Sequence, residues 1–347
     1  MNTPPANHIS RSRLVILLVI VVCTVGGVGG YLILAPGATP RAPVSAGAAA
    51  DPSDVAAVAA VPHLVFRSTA LGDGYGHVAL SPLDNPDGPR TVTVASCERV
   101  HASRGAAICL SAEGGFTASY AARVLGPDWK PLRTLPMPGI PSRARVSRDE
   151  AHVATTSFIH GDSYANPGQF STRTLVSRID GSQTDNIEEF ALEVNGRAVT
   201  AADRNLWGVT FVDGDTFYAT AASGGKTWLV RGSLTARRLV ALQEDAECPS
   251  VSPDGSHIAY KKRGKLPAGQ WRLVAYTVAS GAETPLAEPR SVDDQVDWLD
   301  DQHVIYGLPR STTGGAAATS DVWVVAPDGT GSPQVLVHDA WSPAVVR

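Results

Sequence analysis

The chain has 347 residues, of which 44% are hydrophobic, 18% charged and 6% aromatic, and its formal net charge is −4. This hydrophobic share excludes wholesale disorder, which requires low hydrophobicity together with high net charge. The mild acidity argues against nucleic acid as a partner, because such binding depends on a basic surface that neutralises phosphates. Arginine and alanine are frequent and lysine is scarce, a usage typical of high-GC bacteria such as actinobacteria.

The first predicted element is a membrane segment. Residues 14–35 form an uncharged apolar run, which at a rise of about 1.5 Å per residue is long enough to cross a hydrocarbon core of about 30 Å. Arg11 and Arg13 precede this run, so the positive-inside rule places residues 1–13 in the cytoplasm and the rest of the chain outside. A cleaved signal peptide is the alternative, because small residues suited to cleavage follow at 46–50. We predict a single-pass protein of the cell membrane, or a secreted protein if the signal is cleaved.

A flexible linker is predicted next, over residues 36–62. This stretch is rich in Ala, Pro and Gly and has no large side chains to contribute to a core. A short helix over residues 54–60 is compatible with it. The linker would lift the globular domain, residues 63–347, off the membrane.

The globular domain is predicted to be all-β. Short runs rich in Val, Ile, Thr and aromatic residues alternate with Asp-Gly, Gly-Gly and Ser-Gly, which favour hairpin turns because they tolerate positive φ. An apolar residue, a turn and a strand recur together from positions 100, 146, 210, 251, 298 and 341. A repeat of about 40–50 residues that contains four strands is the signature of a β-propeller. The longer interval after position 146 leaves room for an insertion near residues 161–170.

The repeats predict six blades, with seven as the competing number. The last repeat, WSPAVVR, supplies only the first strand of a blade, and three strands that begin at residue 63 supply the rest. One blade would therefore combine both ends of the domain and close the ring. We expect the interblade core to include four tryptophans, Trp207, Trp298, Trp323 and Trp341.

Two of the repeats resemble a known family. Residues 248–260 read CPSVSPDGSHIAY and residues 322–331 read VWVVAPDGTG, and both resemble the PD40 (WD40-like) repeat of TolB-type propellers. The turn residues of these two copies are Pro253, Asp254, Gly255, Pro327, Asp328 and Gly329. The resemblance implies a six-bladed TolB-like propeller that binds partners, as TolB-type proteins bind lipoprotein and colicin partners. Those proteins carry an N-terminal α/β domain where this chain has a membrane segment and linker, so a Tol-type translocation role is not expected.

The cysteines predict one disulfide. Cys97 and Cys109 flank the turn at residues 101–105, so a regular hairpin would place them opposite each other, within bridging distance. An extracytoplasmic location is oxidising enough to keep such a bond, and two buried thiols are the alternative. Cys248 has no evident partner and is expected to be a buried free thiol.

No catalytic, cofactor or metal motif is found. The chain has no G-x-S-x-G, and residues 220–227 lack the first glycine of a P-loop, so a hairpin turn is predicted at Gly224-Gly225. The basic run 261–265 is predicted to be a solvated loop. A group of aspartates matches no calcium-loop pattern, and we predict that its members lie in solvated turns: Asp293, Asp294, Asp297, Asp300 and Asp301.

The predicted function is that of a monomeric, membrane-anchored binding module for a protein, peptide or glycan of the cell envelope. No cofactor, metal or nucleic acid is expected. Two alternatives stay open, an envelope enzyme of the lyase or glycosidase type with its site in the propeller funnel, and a structural subunit of a membrane complex. Paired carboxylates near the axis with perturbed pKa values would favour the enzyme.

Overall fold

The structure, a computed structural model, describes residues 49–113, 119–165, 168–310 and 318–347. The predicted cytoplasmic tail (1–13), the predicted membrane segment (14–35) and residues 36–48 of the predicted linker lie outside these residues. Within the described ranges, no helix is both long enough and apolar enough to cross a membrane.

A short helix, α1 (Pro52–Ala59), occupies the described end of the predicted linker. The Asp51 carboxylate caps it by accepting a first-turn backbone N–H at 3.0 Å. Val55 is buried in the core of the first blade, and this contact explains why a stretch of small residues is ordered here. The chain therefore already contacts the propeller before residue 63, whereas the sequence predicts a flexible linker to residue 62.

The described part of the propeller contains 26 strands. In chain order they are β1 (His63–Ser68), β2 (His77–Pro82), β3 (Thr91–Ser96), β4 (Arg99–Ala102), β5 (Ala107–Glu113), β6 (Ser119–Leu125), β7 (Pro131–Leu135), β8 (Ile140–Val146), β9 (His152–His160), β10 (Ser171–Arg178), β11 (Thr184–Asn186), β12 (Ala191–Val194), β13 (Arg197–Val199), β14 (Asn205–Phe211), β15 (Thr216–Ser223), β16 (Lys226–Ser233), β17 (Arg238–Glu244), β18 (Glu247–Val251), β19 (His257–Lys262), β20 (Arg272–Thr277), β21 (Glu283–Pro285), β22 (Asp297–Asp300), β23 (His303–Pro309), β24 (Ser320–Val325), β25 (Gln334–Val337) and β26 (Ala340–Val346).

These strands form six sheets, which are the six blades predicted from the repeat. Blade 1 has the order β26-β1-β2-β3, blade 2 is β4 to β7, blade 3 is β8 to β11, blade 5 is β18 to β21 and blade 6 is β22 to β25. Blade 4 consists of β14 to β17 with two further strands at its outer edge. The predicted six-bladed, all-β propeller is thereby confirmed for the described residues.

The ring is closed by pairing between the two ends of the domain. Strand β26 lies antiparallel to β1, with Trp341 opposite Arg67 and Ala344 opposite Val65. Strand β1 is thereby covered on both edges, by β26 and by β2. The predicted closure by the last repeat is confirmed.

The long interval between the second and third repeats has two causes. A loop joins β9 to β10, as predicted near residues 161–170, and a hairpin that the sequence analysis missed follows blade 3. In this hairpin, β12 pairs antiparallel with β13 and parallel with β17, which widens blade 4 to six strands. Leu192 anchors the hairpin, because its side chain is buried in the core of blade 4.

Apolar side chains from neighbouring blades fill the space between the sheets. Trp207 and Trp298 are fully buried, and Trp323 is partly buried against the same cluster as Trp298. Trp341 is half-buried, and the Arg99 guanidinium lies over its ring at 5.0 Å. The tryptophans therefore contribute to the interblade core as predicted, with Trp341 at its margin.

The predicted disulfide between Cys97 and Cys109 is present, with the two Cα atoms 5.4 Å apart. The predicted register is wrong, however, because Cys109 lies opposite Val100 in the β4–β5 pair. Cys97 precedes β4 and donates its backbone N–H to Gly76 O of blade 1 at 3.1 Å. The disulfide therefore joins the end of blade 1 to the second strand of blade 2 and does not bridge a hairpin.

Both Pro-Asp-Gly segments form the predicted turns. Residues 253–255 connect β18 to β19, and residues 327–329 connect β24 to β25, with the two glycines at φ of +74° and +78°. Hydrogen bonds from the Ser252 and Ser256 side chains hold the pKa of Asp254 at about 2. These aspartates are thus explained by turn formation.

Candidate functional site

The innermost strands of the six blades stand side by side around a central axis, in the order β4, β8, β14, β18, β22 and β26. They begin at one face of the ring, here called the start face, and finish at the other, the end face. Loops that join the second strand of a blade to the third also lie on the start face.

Oppositely charged side chains meet along this axis, and the sequence analysis did not foresee it. Asp294 is only 2% exposed and Lys261 is fully buried, so the prediction of solvated turns and a solvated basic loop is wrong for them. Residues 293–296 lead into the innermost strand of blade 6, which places them at the axis. Lys261 is a strand residue, because β19 continues through residue 262. Asp301 lies in the predicted turn, whereas Asp297 and Asp300 are the first and last residues of strand β22.

The Asp293 carboxylate binds two cations on the start-face side. Lys261 Nζ lies 2.6 Å from Asp293 Oδ1, and Arg143 Nη2 lies 3.3 Å from the same oxygen. Burial acts to raise the pKa of Asp293, but the nearby charges of Lys261 and Arg143 outweigh it and hold the value at about 2. Asp293 is therefore a permanent anion in this setting.

Asp294 is held differently from its neighbour. One carboxylate oxygen lies 3.4 Å from Arg99 Nη1, and the other accepts the Gly307 backbone N–H at 2.9 Å. Burial raises its pKa above the ordinary aspartate value, and Arg99 and Arg143 offset this only in part. Gly307 is required here because an added Cβ would lie 2.4 Å from the Trp341 ring.

Further along the axis, Asp297 joins His101 to Arg145. Its Oδ1 lies 3.2 Å from Arg145 Nη1, and its Oδ2 lies 3.6 Å from His101 Nε2. Burial would raise the pKa of Asp297, but Arg145 and His101 hold it at about 2. Burial, together with the Arg145 charge, lowers the pKa of His101, so the imidazole is neutral at pH 7.

These contacts link blades 2, 3, 5 and 6 across the axis through charge pairs. Each of the three axial carboxylates contacts at least one cation, so none resembles the free acid–base pair of a glycosidase. Over the ranges that the structure describes, no group of three or more His, Cys, Asp or Glu side chains is arranged to hold a metal ion.

A cavity of about 670 Å³ opens on the start face, between blades 3, 4 and 5. We call it the aromatic cavity, because Tyr164, Phe170 and Trp207 contribute to its wall. The Tyr164 and Trp207 rings are stacked, with centroids 5.0 Å apart, and Phe170 packs edge-on to both. Tyr164 and Phe170 come from the β9–β10 loop, which the sequence analysis recognised only as an insertion.

Tyr164 connects this cavity to the axial charges. Its hydroxyl lies 2.6 Å from Ser142 Oγ, and the Arg143 guanidinium lies over its ring at 5.1 Å. Lys261 Nζ lies 5.3 Å from the same ring and 4.1 Å from that of Trp271. The β9–β10 loop therefore reaches from blade 3 to the axis, and cation–π contacts hold it there.

The opposite wall of the aromatic cavity is polar. It includes the Gly224-Gly225 turn between β15 and β16, which confirms the predicted hairpin and excludes a P-loop helix. Beside this turn, Lys226 is paired with Glu244 at 2.9 Å, and Asp203 accepts the Gly224 N–H at 2.7 Å. Charges of both signs and backbone amides thus face an aromatic wall.

The architecture matches that of known propeller structures, although the sequence itself matches no known family. No family model matches the chain, and no curated protein matches it. Among solved structures, TolB from Acinetobacter baumannii matches with a TM-score of 0.57 at 15% sequence identity, over 82% of this chain and 66% of that one. The chain has a TolB-like propeller fold. A puromycin-hydrolyzing peptidase from Mycobacterium tuberculosis matches with a TM-score of 0.48 at 13% identity, over 79% of this chain and 43% of that one.

At these identities the comparison shows the fold alone, and the chain spans about two thirds of the length of the TolB structure. In this TolB-like propeller, neither the disulfide cysteines nor the two Pro-Asp-Gly turns line the aromatic cavity. These residues therefore do not belong to the aromatic cavity. Three regions noted in the sequence do contribute to its wall, namely the insertion near residues 161–170, the run 220–227 and the basic run 261–265.

Proposed function

We propose that this chain is a binding module of the cell envelope, tethered by residues 14–35, and that its ligand is a peptide segment of another envelope protein. The ligand would lie in the aromatic cavity on the start face. The observation that carries the proposal is the composition of this cavity, which combines aromatic rings, charges of both signs and backbone amides within about 670 Å³.

A peptide fits this lining better than a glycan does. The cavity wall includes the cations Lys226 and Arg263 as well as the carboxylates Glu244 and Asp245, which suits a chain that carries side chains of both signs. Backbone groups of the exposed Gly224-Gly225 turn are also accessible to an extended peptide. The Tyr164 and Trp207 side chains are only 4% and 1% exposed, so neither offers the free ring face on which a sugar would stack.

Binding is favoured over catalysis because the three axial carboxylates are already paired with cations. Asp293 and Asp297 have pKa values of about 2, far below what a general acid needs at neutral pH. Asp294 has a raised pKa, but it accepts a backbone N–H and contacts Arg99. An enzyme of the lyase or glycosidase type would need such a group free.

The proposal is tested with the full-length chain in intact cells. A photo-crosslinking residue at position 226 should capture one polypeptide, whereas the same residue at exposed position 197 on the blade 4 hairpin should not. Phe170→Ala should abolish the 226 crosslink, and Leu132→Ala, on the exposed edge of blade 2, should leave it intact. Equal labelling at 226 and 197, or capture of a glycan alone, would refute the peptide proposal.

The tether is tested separately. External protease should digest the propeller in intact cells, and a tag placed before residue 14 should be protected. Release of the propeller into the medium would show that the signal is cleaved, and protection of the propeller itself would overturn the extracytoplasmic placement.

A further inference from the structure

A second cavity, of about 490 Å³, opens at the end face of the axis and is separate from the aromatic cavity. We call it the end-face funnel. Residues from all six innermost strands line it, so it lies on the axis itself. Its ionisable side chains are those of four arginines, one histidine and two acidic residues, namely Arg104, Arg145, Arg148, Arg347, His101, Asp297 and Glu150.

One arginine at this mouth, Arg148, has only neutral acceptors. It donates to Pro253 O at 2.6 Å and to Ser252 O at 2.8 Å, and both acceptors are backbone carbonyls. Arg104 Nε donates at 3.0 Å to Arg347 O, an oxygen of the carboxyl group of the last residue, and the terminal nitrogens of Arg104 have no acceptor among the described residues. Among the described residues, no side-chain carboxylate lies within 4.0 Å of either guanidinium.

The two carboxylates of the funnel are already engaged. Glu150 Oε1 accepts the Ser103 hydroxyl at 2.5 Å and the Gly105 N–H at 2.7 Å. Asp297 is shared between Arg145 and His101, as described above. Neither of these side-chain carboxylates is therefore available to neutralise Arg148 at the rim.

Deeper in the funnel, hydrogen-bond donors also outnumber acceptors. His101 Nδ1 accepts the Val146 N–H at 3.1 Å, so in the neutral ring the proton is on Nε2. Arg145 Nη1 lies only 2.9 Å from this Nε2, so two donors face each other with Asp297 as their shared acceptor. Arg145 is 6% exposed, and its Nε–H has no acceptor among the described residues.

We infer that the end-face funnel binds an oxyanion, a phosphate, sulfate or carboxylate group, through Arg148 and the terminal nitrogens of Arg104 at its rim. The planar fork of an arginine matches the oxygen pair of such groups, and hydrogen bonds between ions are stronger than those to neutral carbonyls. The cavity is much larger than an inorganic ion, so it also has room for the organic part of a larger ligand. Free phosphate and a phosphomonoester carry the same anionic phosphate group, so both could bind at the rim.

The inference is tested by calorimetry on the full-length chain at constant ionic strength, with inorganic phosphate, sulfate, acetate and glycerol phosphate as probes. At least one of these anions should bind, and Arg104→Gln with Arg148→Gln should weaken its binding about tenfold. Arg197→Gln removes an exposed positive charge from the blade 4 hairpin and should have no effect. Comparing glycerol phosphate with free phosphate shows whether the organic part adds affinity.

A measurement on the unaltered chain covers the case in which the double variant does not fold. Phenylglyoxal should modify Arg104 and Arg148 in the free protein, and the bound anion should protect both while Arg197 stays reactive. Absence of binding by all four anions, or binding that the double variant retains in full, would overturn the inference. Since Phe170→Ala lies at the other face, it should leave anion binding unchanged, which separates this test from that of the proposed function.

Discussion

Cys97 is bonded to Cys109 although Val100, three residues further along the chain, is the residue that faces Cys109 across the β4–β5 pair. The bond is possible because the chain turns from blade 1 into blade 2 at Cys97, whose N–H is still bonded to Gly76 of blade 1. The covalent link therefore supports the same blade that the two ends of the domain close by strand pairing.

Removing this disulfide should destabilise the ring. The disulfide restricts the conformations of the unfolded chain. For a sequence separation of 12 residues, removing this restriction lowers the free energy of unfolding by about 3 kcal/mol. The double variant Cys97→Ser/Cys109→Ser should show this loss in urea denaturation. A reducing agent should lower the stability of the wild type by a similar amount and leave the double variant unchanged. Equal stability of oxidised and reduced wild type would contradict the expected role.

The Lys261–Asp293 pair should stabilise the start-face end of the axis. Replacing the fully buried Lys261 by Met leaves Asp293 with Arg143 alone, and the half-exposed carboxylate is partly rehydrated. We expect a loss of about 2 kcal/mol, below the usual cost of breaking a fully buried pair. Lys262→Met, one residue away and paired with Glu283, serves as the control and should cost less than half as much. Denaturant unfolding of both variants measures the difference.

The ion pairs of Asp297 should make the stability of the fold sensitive to acid. The pKa of Asp297 falls from its ordinary value of 3.8 to about 2 in the folded protein, so this residue contributes stability that is fully present above about pH 4. This contribution is lost as the pH falls towards 2, and it amounts to about 2 kcal/mol. Asp297→Asn should therefore be less stable than the wild type at pH 7, and the gap should narrow between pH 4 and pH 2. A gap that stays constant with pH would show that Asp297 stabilises the fold by packing alone.

Removing residues 340–347 should open the ring. Strand β1 would lose its inner partner, and buried Ala340, Ala344 and Val346 would be missing from two core clusters. We expect loss of cooperative thermal unfolding in the truncated chain. A synthetic peptide of residues 338–347 added in trans should restore part of the transition, and a scrambled peptide should not. Full cooperativity in the truncated chain would show that closure is dispensable.

Local patterns in the sequence were sufficient to predict the architecture. Each repeat has its own turn, such as the Pro-Asp-Gly at 253–255, and its own alternating strand, so blade number and closure follow from counting. The hairpin of β12 and β13 was missed because strands of four and three residues carry too little alternation to be distinguished from a loop. The Cys97–Cys109 pairing was predicted correctly with the wrong register, because the turn between blades is not visible in sequence spacing.

The sequence by itself determined most of the strands, the six-fold repeat, the ring closure and the identity of the disulfide, because these depend on residues close together in the chain or on a regular period. Only the tertiary structure decided where the charges go. The sequence predicts that Asp293 and Asp294 lie in solvated turns. In the structure they neutralise Lys261 and Arg99, which come from other blades. Closing the ring brings the innermost strands of all six blades together around one axis. The Coulomb energy between charged side chains from different blades therefore cannot be predicted from any single stretch of the chain.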